Sequence, residues 1–127
     1  MINSNTQLHI SRNLGNQGED FVVDQLILQG FSIVARNFRH MNGEIDIIAK
    51  KRELLIFVEV KLRQNDLIDL AELIIPSKQR KIIYVAQLFL SSYSDQKVTA
   101  RFDVALVTYK NNHFFMQYIE NAFVVHD

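Results

Sequence analysis

The chain has 127 residues, 48% of them hydrophobic and 22% charged, with fourteen basic against fourteen acidic side chains and no cysteine. That is the make-up of one globular domain able to form a core without staples, and it excludes disulfide scaffolds and thiolate zinc sites. No stretch approaches the ~20 apolar residues that cross a bilayer. The start, MINSNTQLHISRN, has no basic segment leading into an apolar run, so a cytoplasmic protein without membrane attachment is expected.

Residues 1–13 are polar and unpatterned and read as a flexible leader. From about Leu14 to Gln29 the apolar positions Phe21, Val22, Leu26 and Ile27 recur with helical spacing, and Gly30 supplies a stop. FSIVARNF (31–38), EIDIIA (44–49) and LLIFVEVKL (54–62) are rich in β-branched and aromatic residues and read as three strands joined by the turns RHMNG and KKRE. A long connection leads to Pro76, and Ser77 is the expected N-cap of a second helix, KQRKIIYVAQLFLSSY. RFDVALVTY (101–109) and HFFMQYI (113–119) form a closing hairpin around KNN. Tyr84, Phe89, Phe114, Phe115 and Phe123 read as core side chains. No repeat or linker interrupts the chain, so a single domain over 1–127 is expected, in the order helix, three strands, helix, two strands.

The central hairpin poses the chemical question. Side chains alternate along a strand, so Leu54, Ile56, Val58, Val60 and Leu62 share an apolar face, while Leu55, Phe57, Glu59, Lys61 and Arg63 pass from apolar to charged. In the preceding strand Glu44, Asp46 and Ile48 share one face and Ile45, Ile47 and Ala49 the other. Matching the apolar faces puts Asp46 on the side of Glu59 and Lys61. A two-residue turn at Lys51–Arg52 pairs Glu44 with Glu59; a four-residue turn sets Asp46 across from Glu59. Either register brings the carboxylates within roughly 8 Å. Facing carboxylates repel, and a cation between them resolves the conflict. Oxygen ligands without cysteine or clustered histidine favour magnesium or manganese. Lys61 beside such an ion makes a phosphate site, although an ion pair of Lys61 with Glu59 or Asp46 at a sheet end would use the same residues.

GEIDIIA and FVEVKLR, preceded by GNQGED and followed by RFDVALV, resemble the bacterial YraN-like family of uncharacterised, endonuclease-like proteins over about residues 15–110. That family is similar in turn to archaeal Holliday-junction resolvases. The resemblance implies an α/β fold with a restriction-endonuclease-like α-β-β-β-α-β core, a mixed central sheet flanked by helices. It also implies a catalytic set matching Glu19, Asp46, Glu59 and Lys61, with a basic position at Lys78. Two departures stand out: Val22 replaces an alanine, and the loop 64–76 lacks a glycine common in the family.

The leading expectation is therefore a metal-dependent nuclease acting on nucleic acid, DNA above all and branched DNA included. Asp46, Glu59 and the backbone carbonyl of Val60 would hold Mg²⁺ or Mn²⁺, with Glu19 as a further ligand. Lys78, Arg80 and Lys81, extended by Lys51 and Arg52, would contact phosphates. A nuclease fold that binds nucleic acid without cutting is the alternative, and an interaction domain with ordinary ion pairs is a third. Glu44 reads as a solvent-facing acid, His40 as a loop histidine, and Asp103 as a structural partner of Arg101. A symmetric dimer would suit cleavage of both strands.

Overall fold

The computed structural model describes residues 4–41, 43–63, 74–95 and 97–125, with residues 4–12 as backbone alone. The element order is α1 (Ser4–Leu28), β1 (Ser32–His40), β2 (Gly43–Lys51), β3 (Leu54–Arg63), α2 (Pro76–Ser92), β4 (Thr99–Lys110) and β5 (His113–Phe123). The α-β-β-β-α-β order of a restriction-endonuclease-like core is present, with β5 as an added edge strand. Most of the loop 64–76, namely residues 64–73, lies outside the described residues.

The five strands form one sheet in sequence order, antiparallel except between β3 and β4. A parallel neighbour requires a crossover, and α2 lies in that connection. Alternation gives β3 and β4 two apolar faces, and a helix covers each. Val22, Val23 and Leu26 of α1 pack with Ile47, Ala49, Ile56, Val58, Ala105 and Val107. Ile82, Val85 and Ala86 of α2 pack with Leu55, Phe57, Phe102, Val104 and Leu106 on the other side. Each fully buried side chain of this size contributes roughly 1.5–3 kcal/mol by leaving water.

Helix α1 begins earlier than periodicity indicates, since the backbone is helical from Ser4 and so includes most of the stretch read as a leader. No proline interrupts that stretch, and a helix once nucleated propagates through polar residues at little cost. The stop is where expected. Gly30 takes φ 96°, its N–H donates to the Ile27 carbonyl and that of Phe31 to the Leu26 carbonyl, a Schellman ending.

Helix α2 starts one residue before the expected cap. Pro76 occupies its first turn, Ile75 is the N-cap, and no side chain caps it. Proline suits that position because its missing N–H would have had no helical partner. At the β4–β5 turn, Asn111 and Asn112 both have positive φ, 53° and 64°, as a two-residue turn of the type I′ kind demands.

Two aromatic side chains expected in the core lie at the surface. Tyr84 is 49% exposed and Phe115 55% exposed. The core-facing stripe of α2 is Ile82, Val85 and Ala86 with the partly buried Phe89, at helical spacing, and Tyr84 falls off it. Phe115 lies on the outer face of the edge strand β5, whose residues alternate between exposed and half-buried from His113 to Tyr118. Among the described residues no helix is long and apolar enough to cross a membrane.

Candidate active site

Strands β2 and β3 pair from Lys51↔Leu54 to Ile47↔Val58. Continued one step, this register sets Asp46 across from Glu59, the arrangement expected of a four-residue turn. It is reached instead through a shorter one, in which Arg52 takes φ 56°. The backbone ladder stops just before the acids. There the Asp46 side chain takes over, with Oδ2 accepting the Val60 N–H at 2.8 Å.

The strand itself changes at this point. Strict alternation would put Ile45 and Ile47 on one face, yet Ile45 packs with the α2 layer and Ile47 with the α1 layer. On the neighbouring strand Arg36 pairs with Ile47 and Phe38 with Ile45, and between them Asn37 has φ 52°. That left-handed residue, a conformation asparagine tolerates, coincides with the break in β2. Asp46 therefore sits between the two layers instead of cleanly on one face.

Glu59 is buried, 8% exposed, and its Oε1 accepts an ion pair from Lys78 Nζ at 2.7 Å. Lys78 stands in the first turn of α2. The Asp46 carboxyl is pushed up to about 7, first by burial and then by the negative charge of Glu59, against the opposing Val60 hydrogen bond. The charge of Glu19 adds to the upward push, so α1 brings its acid near the pair.

Glu19 is not free to join it unaided. Its Oε1 accepts hydrogen bonds from Arg36 Nη2 at 3.1 Å and Asn37 Nδ2 at 3.2 Å. Arg36 also binds Asp20 Oδ1 at 2.7 Å. Since α1 starts at Ser4, Glu19 lies well inside the helix, where a role in complementing the N-terminal dipole does not apply. Arg36 and Asn37 are site-organising residues that sequence reasoning misses. The one signal for them is an Arg–Asn pair set between the apolar residues Ala35 and Phe38 of β1.

Lys61 is half-buried and makes no hydrogen bond or ion pair among the described residues. The lysine that neutralises Glu59 is Lys78. Glu44 pairs with Arg39 at 3.4 Å and also lines the cleft over Asp46 and Glu59. Lys51 and Arg52 lie at the opposite end of the hairpin, five residues or about 16 Å of extended strand from Asp46. Lys51 Nζ donates to the Gln29 carbonyl at the end of α1. They do not extend the basic start of α2. Asp103 is fully buried and accepts from Arg101, the Tyr118 hydroxyl at 2.6 Å and the Asn121 N–H. It is a structural hub.

A cleft of about 390 Å³ opens over the acids, with Glu44, Asp46 and Glu59 on one wall and Lys78 and Lys81 on the other. Lys61 is not part of its lining. No three histidine or acidic side chains converge on one point among the described residues, so the cleft holds an open carboxylate pair and not a closed cage. That donor set still suits a hard cation. Asp46 Oδ1 and Glu59 Oε2 receive no nitrogen donor among the described residues, and magnesium keeps several waters beside one or two carboxylates.

The family model of "Uncharacterised protein family UPF0102" matches residues 18–107, from the helix that carries Glu19 to the end of the central parallel pair. A UPF0102 protein of Chlorobium phaeobacteroides is 39% identical over 122 residues, covering 91% of this chain and 97% of its own length. One from Dictyoglomus thermophilum is 38% identical over 116 residues, covering 89% and 98%. One from Desulforapulum autotrophicum is 42% identical over 119 residues, covering 88% and 93%. These matches span nearly the whole of both partners, and the chain belongs to the uncharacterised protein family UPF0102.

Proposed function

We propose that the cleft hydrolyses phosphodiester bonds of nucleic acid, DNA in the first instance, with Mg²⁺ or Mn²⁺ bound at Asp46 and Glu59. One observation carries this reading: two facing carboxylates, one of them pushed up to about 7, open into a cleft whose other wall is cationic. A pair that resists double ionisation gains most when a divalent cation replaces the proton. The carbonyl of Val60, whose N–H already fixes Asp46, would complete the protein's share of ligands. Bound there, the ion would polarise the phosphate and acidify water.

The remaining work falls to the chain. Lys78 and Lys81 bind the non-bridging phosphate oxygens, Lys78 turning from Glu59 to do so. Lys61, outside the cleft lining but two residues past Glu59 on β3 and without a partner among the described residues, reaches toward the charge that develops as the water oxygen bonds to phosphorus and the ester P–O bond breaks. The attacking water gives up its proton to solvent, and the departing oxygen takes one from solvent. Arg36 and Asn37 hold Glu19 beside Asp46, where its charge keeps Asp46 basic and orients water.

The test is cleavage of end-labelled single-stranded, duplex and branched DNA in manganese by wild type, Asp46→Asn and Lys61→Ala. Cutting by wild type that both variants lose supports the reading. Equal cutting by all three exposes a contaminant. If wild type binds DNA but never cuts it, the protein is a binding module on a nuclease fold.

A further inference from the structure

Beside the acidic cleft lies a second cavity of about 420 Å³ with a different character. It is lined by His40, Met41, Tyr84 and Val85 together with the cations Arg80 and Lys81. Gly43, Ser77 and Lys81 line both spaces, so the two are contiguous. Met41 is 83% exposed, and the half-exposed Tyr84 ring stands edge-on to His40, with centroids 6.4 Å apart. Such exposed apolar surface is costly unless something covers it.

We infer that this cavity receives one unstacked nucleobase of a strand whose adjoining phosphate lies at the Asp46–Glu59 pair. The inference rests on the proposed function and names its substrate class, nucleic acid with an unpaired nucleotide at the site. Three features single out this occupant. A tyrosine face with a histidine beside it is a stacking platform that tolerates any base. The lining cations Arg80 and Lys81 match the phosphates on either side of that base. The shared wall at Lys81 makes the route from pocket to acids continuous. A base still paired in a duplex has its face covered by its neighbours and cannot enter a side pocket without leaving the stack. Single strands, bulges and the unpaired nucleotides of branched DNA meet the requirement, and blunt duplex does not.

The experiment measures fluorescence anisotropy of labelled oligodeoxynucleotides without divalent metal, on the Asp46→Asn background so that cutting plays no part. The probes are a twelve-nucleotide single strand, a blunt duplex, and the same duplex with one bulged 2-aminopurine. The single strand and the bulge should bind at least tenfold more tightly than the blunt duplex, with the 2-aminopurine emission quenched on binding. Tyr84→Ala should erase that preference through a loss of about tenfold, the scale of one base–aromatic stack, and leave duplex binding unchanged. Tyr84→Phe should keep both the preference and the quenching. Equal affinity for blunt duplex, or single-strand affinity unaltered by Tyr84→Ala, overturns the inference. Loss of the nuclease reading would show instead in the cleavage assay, with this binding preference intact.

Discussion

The carboxylate of Asp46 accepts the N–H of Val60 across the hairpin at 2.8 Å, just past the point where the β2–β3 ladder stops. One oxygen is thereby fixed and the other left facing Glu59. An asparagine side-chain oxygen can accept the same bond, so Asp46→Asn removes the charge while keeping the geometry.

The first prediction follows from that charge. Burial and Glu59 raise the Asp46 carboxyl from 3.8 to about 7 in the folded chain. Between these values the native state holds a proton that the unfolded state has released. Stability from this group is therefore complete below about pH 4 and is lost as pH rises through about 7. Melting temperature should fall from pH 5 to pH 8 in metal-free wild type, and less so in Asp46→Asn. At pH 8 the variant should melt several degrees higher. Parallel melting curves for the two proteins across this range would refute the assignment.

Metal should reverse that pattern. An ion that binds only the folded state stabilises it by mass action, so millimolar Mn²⁺ should raise the wild-type melting temperature at pH 8. Protons compete for Asp46, and the rise should shrink below pH 6. Neither Asp46→Asn nor Glu59→Gln should respond. Calorimetric titration of the three proteins checks this directly, and equal heats from all three would place any bound metal elsewhere.

The hairpin faces are legible in the sequence because strand period is local: Leu55 and Phe57 are buried and Glu59 follows them at the same parity. The break at Asp46 is not, because it coincides with a left-handed Asn37 on another strand. The partners of Glu19 are hidden for the same reason, since Arg36 and Asn37 meet it only once α1 has crossed β1. Tyr84 is a different case. Its position off the Ile82–Val85–Ala86–Phe89 stripe is readable from spacing alone, and spacing is the better guide there than aromatic character. Ser77 yields its cap role to the backbone geometry that Pro76 imposes.

Placement divides the basic residues into two groups. Replacing Lys78, Arg80 and Lys81 by alanine should weaken binding similarly across DNA sequences. The salt dependence, log K against log salt, should flatten by roughly 0.7–0.9 for each phosphate that is no longer neutralised. Replacing Lys51 and Arg52 should leave affinity and slope unchanged, since Lys51 serves the end of α1. Filter binding at low and at physiological salt would decide it, and equal losses from both ends would mean that the far end of the hairpin also carries DNA.

Two glycines should respond in opposite directions. A Cβ on Gly43 would meet Val85 Cγ2 at 2.5 Å and the Lys81 carbonyl at 3.3 Å. Gly43→Ala must therefore push α2 away from β2, at a cost of about 1–3 kcal/mol, and move Lys78 and Lys81 off the acids. A Cβ on Gly18 meets Val107, Phe114 and Leu62 at 3.5–3.7 Å, ordinary packing distance. Gly18→Ala should stabilise the helix by about 0.5–1 kcal/mol. Denaturant melts of both variants test the pair, and a tolerated Gly43→Ala would show that α2 can shift freely.

Lys61 and Lys78 should separate stability from chemistry. Lys78 neutralises a buried glutamate at 2.7 Å but is itself half-exposed, so solvent screens much of the pair. Lys78→Ala should cost the metal-free protein about 1 kcal/mol and tighten metal binding, because the ion no longer competes with an ammonium for Glu59. Lys61 has no partner to lose among the described residues. Lys61→Ala should change stability by no more than about 0.5 kcal/mol and leave metal affinity intact. Its cutting rate should nevertheless fall about 100-fold, the effect of removing one donor from a charge that develops only in the transition state. Raising substrate concentration should not rescue it, whereas for Lys78→Ala part of the loss should lie in KM. If Lys61→Ala cuts at the wild-type rate while Lys78→Ala is dead at saturating substrate, the lysine at the start of α2 is the one that acts on the phosphate. The chemistry then belongs to the helix and not to the strand.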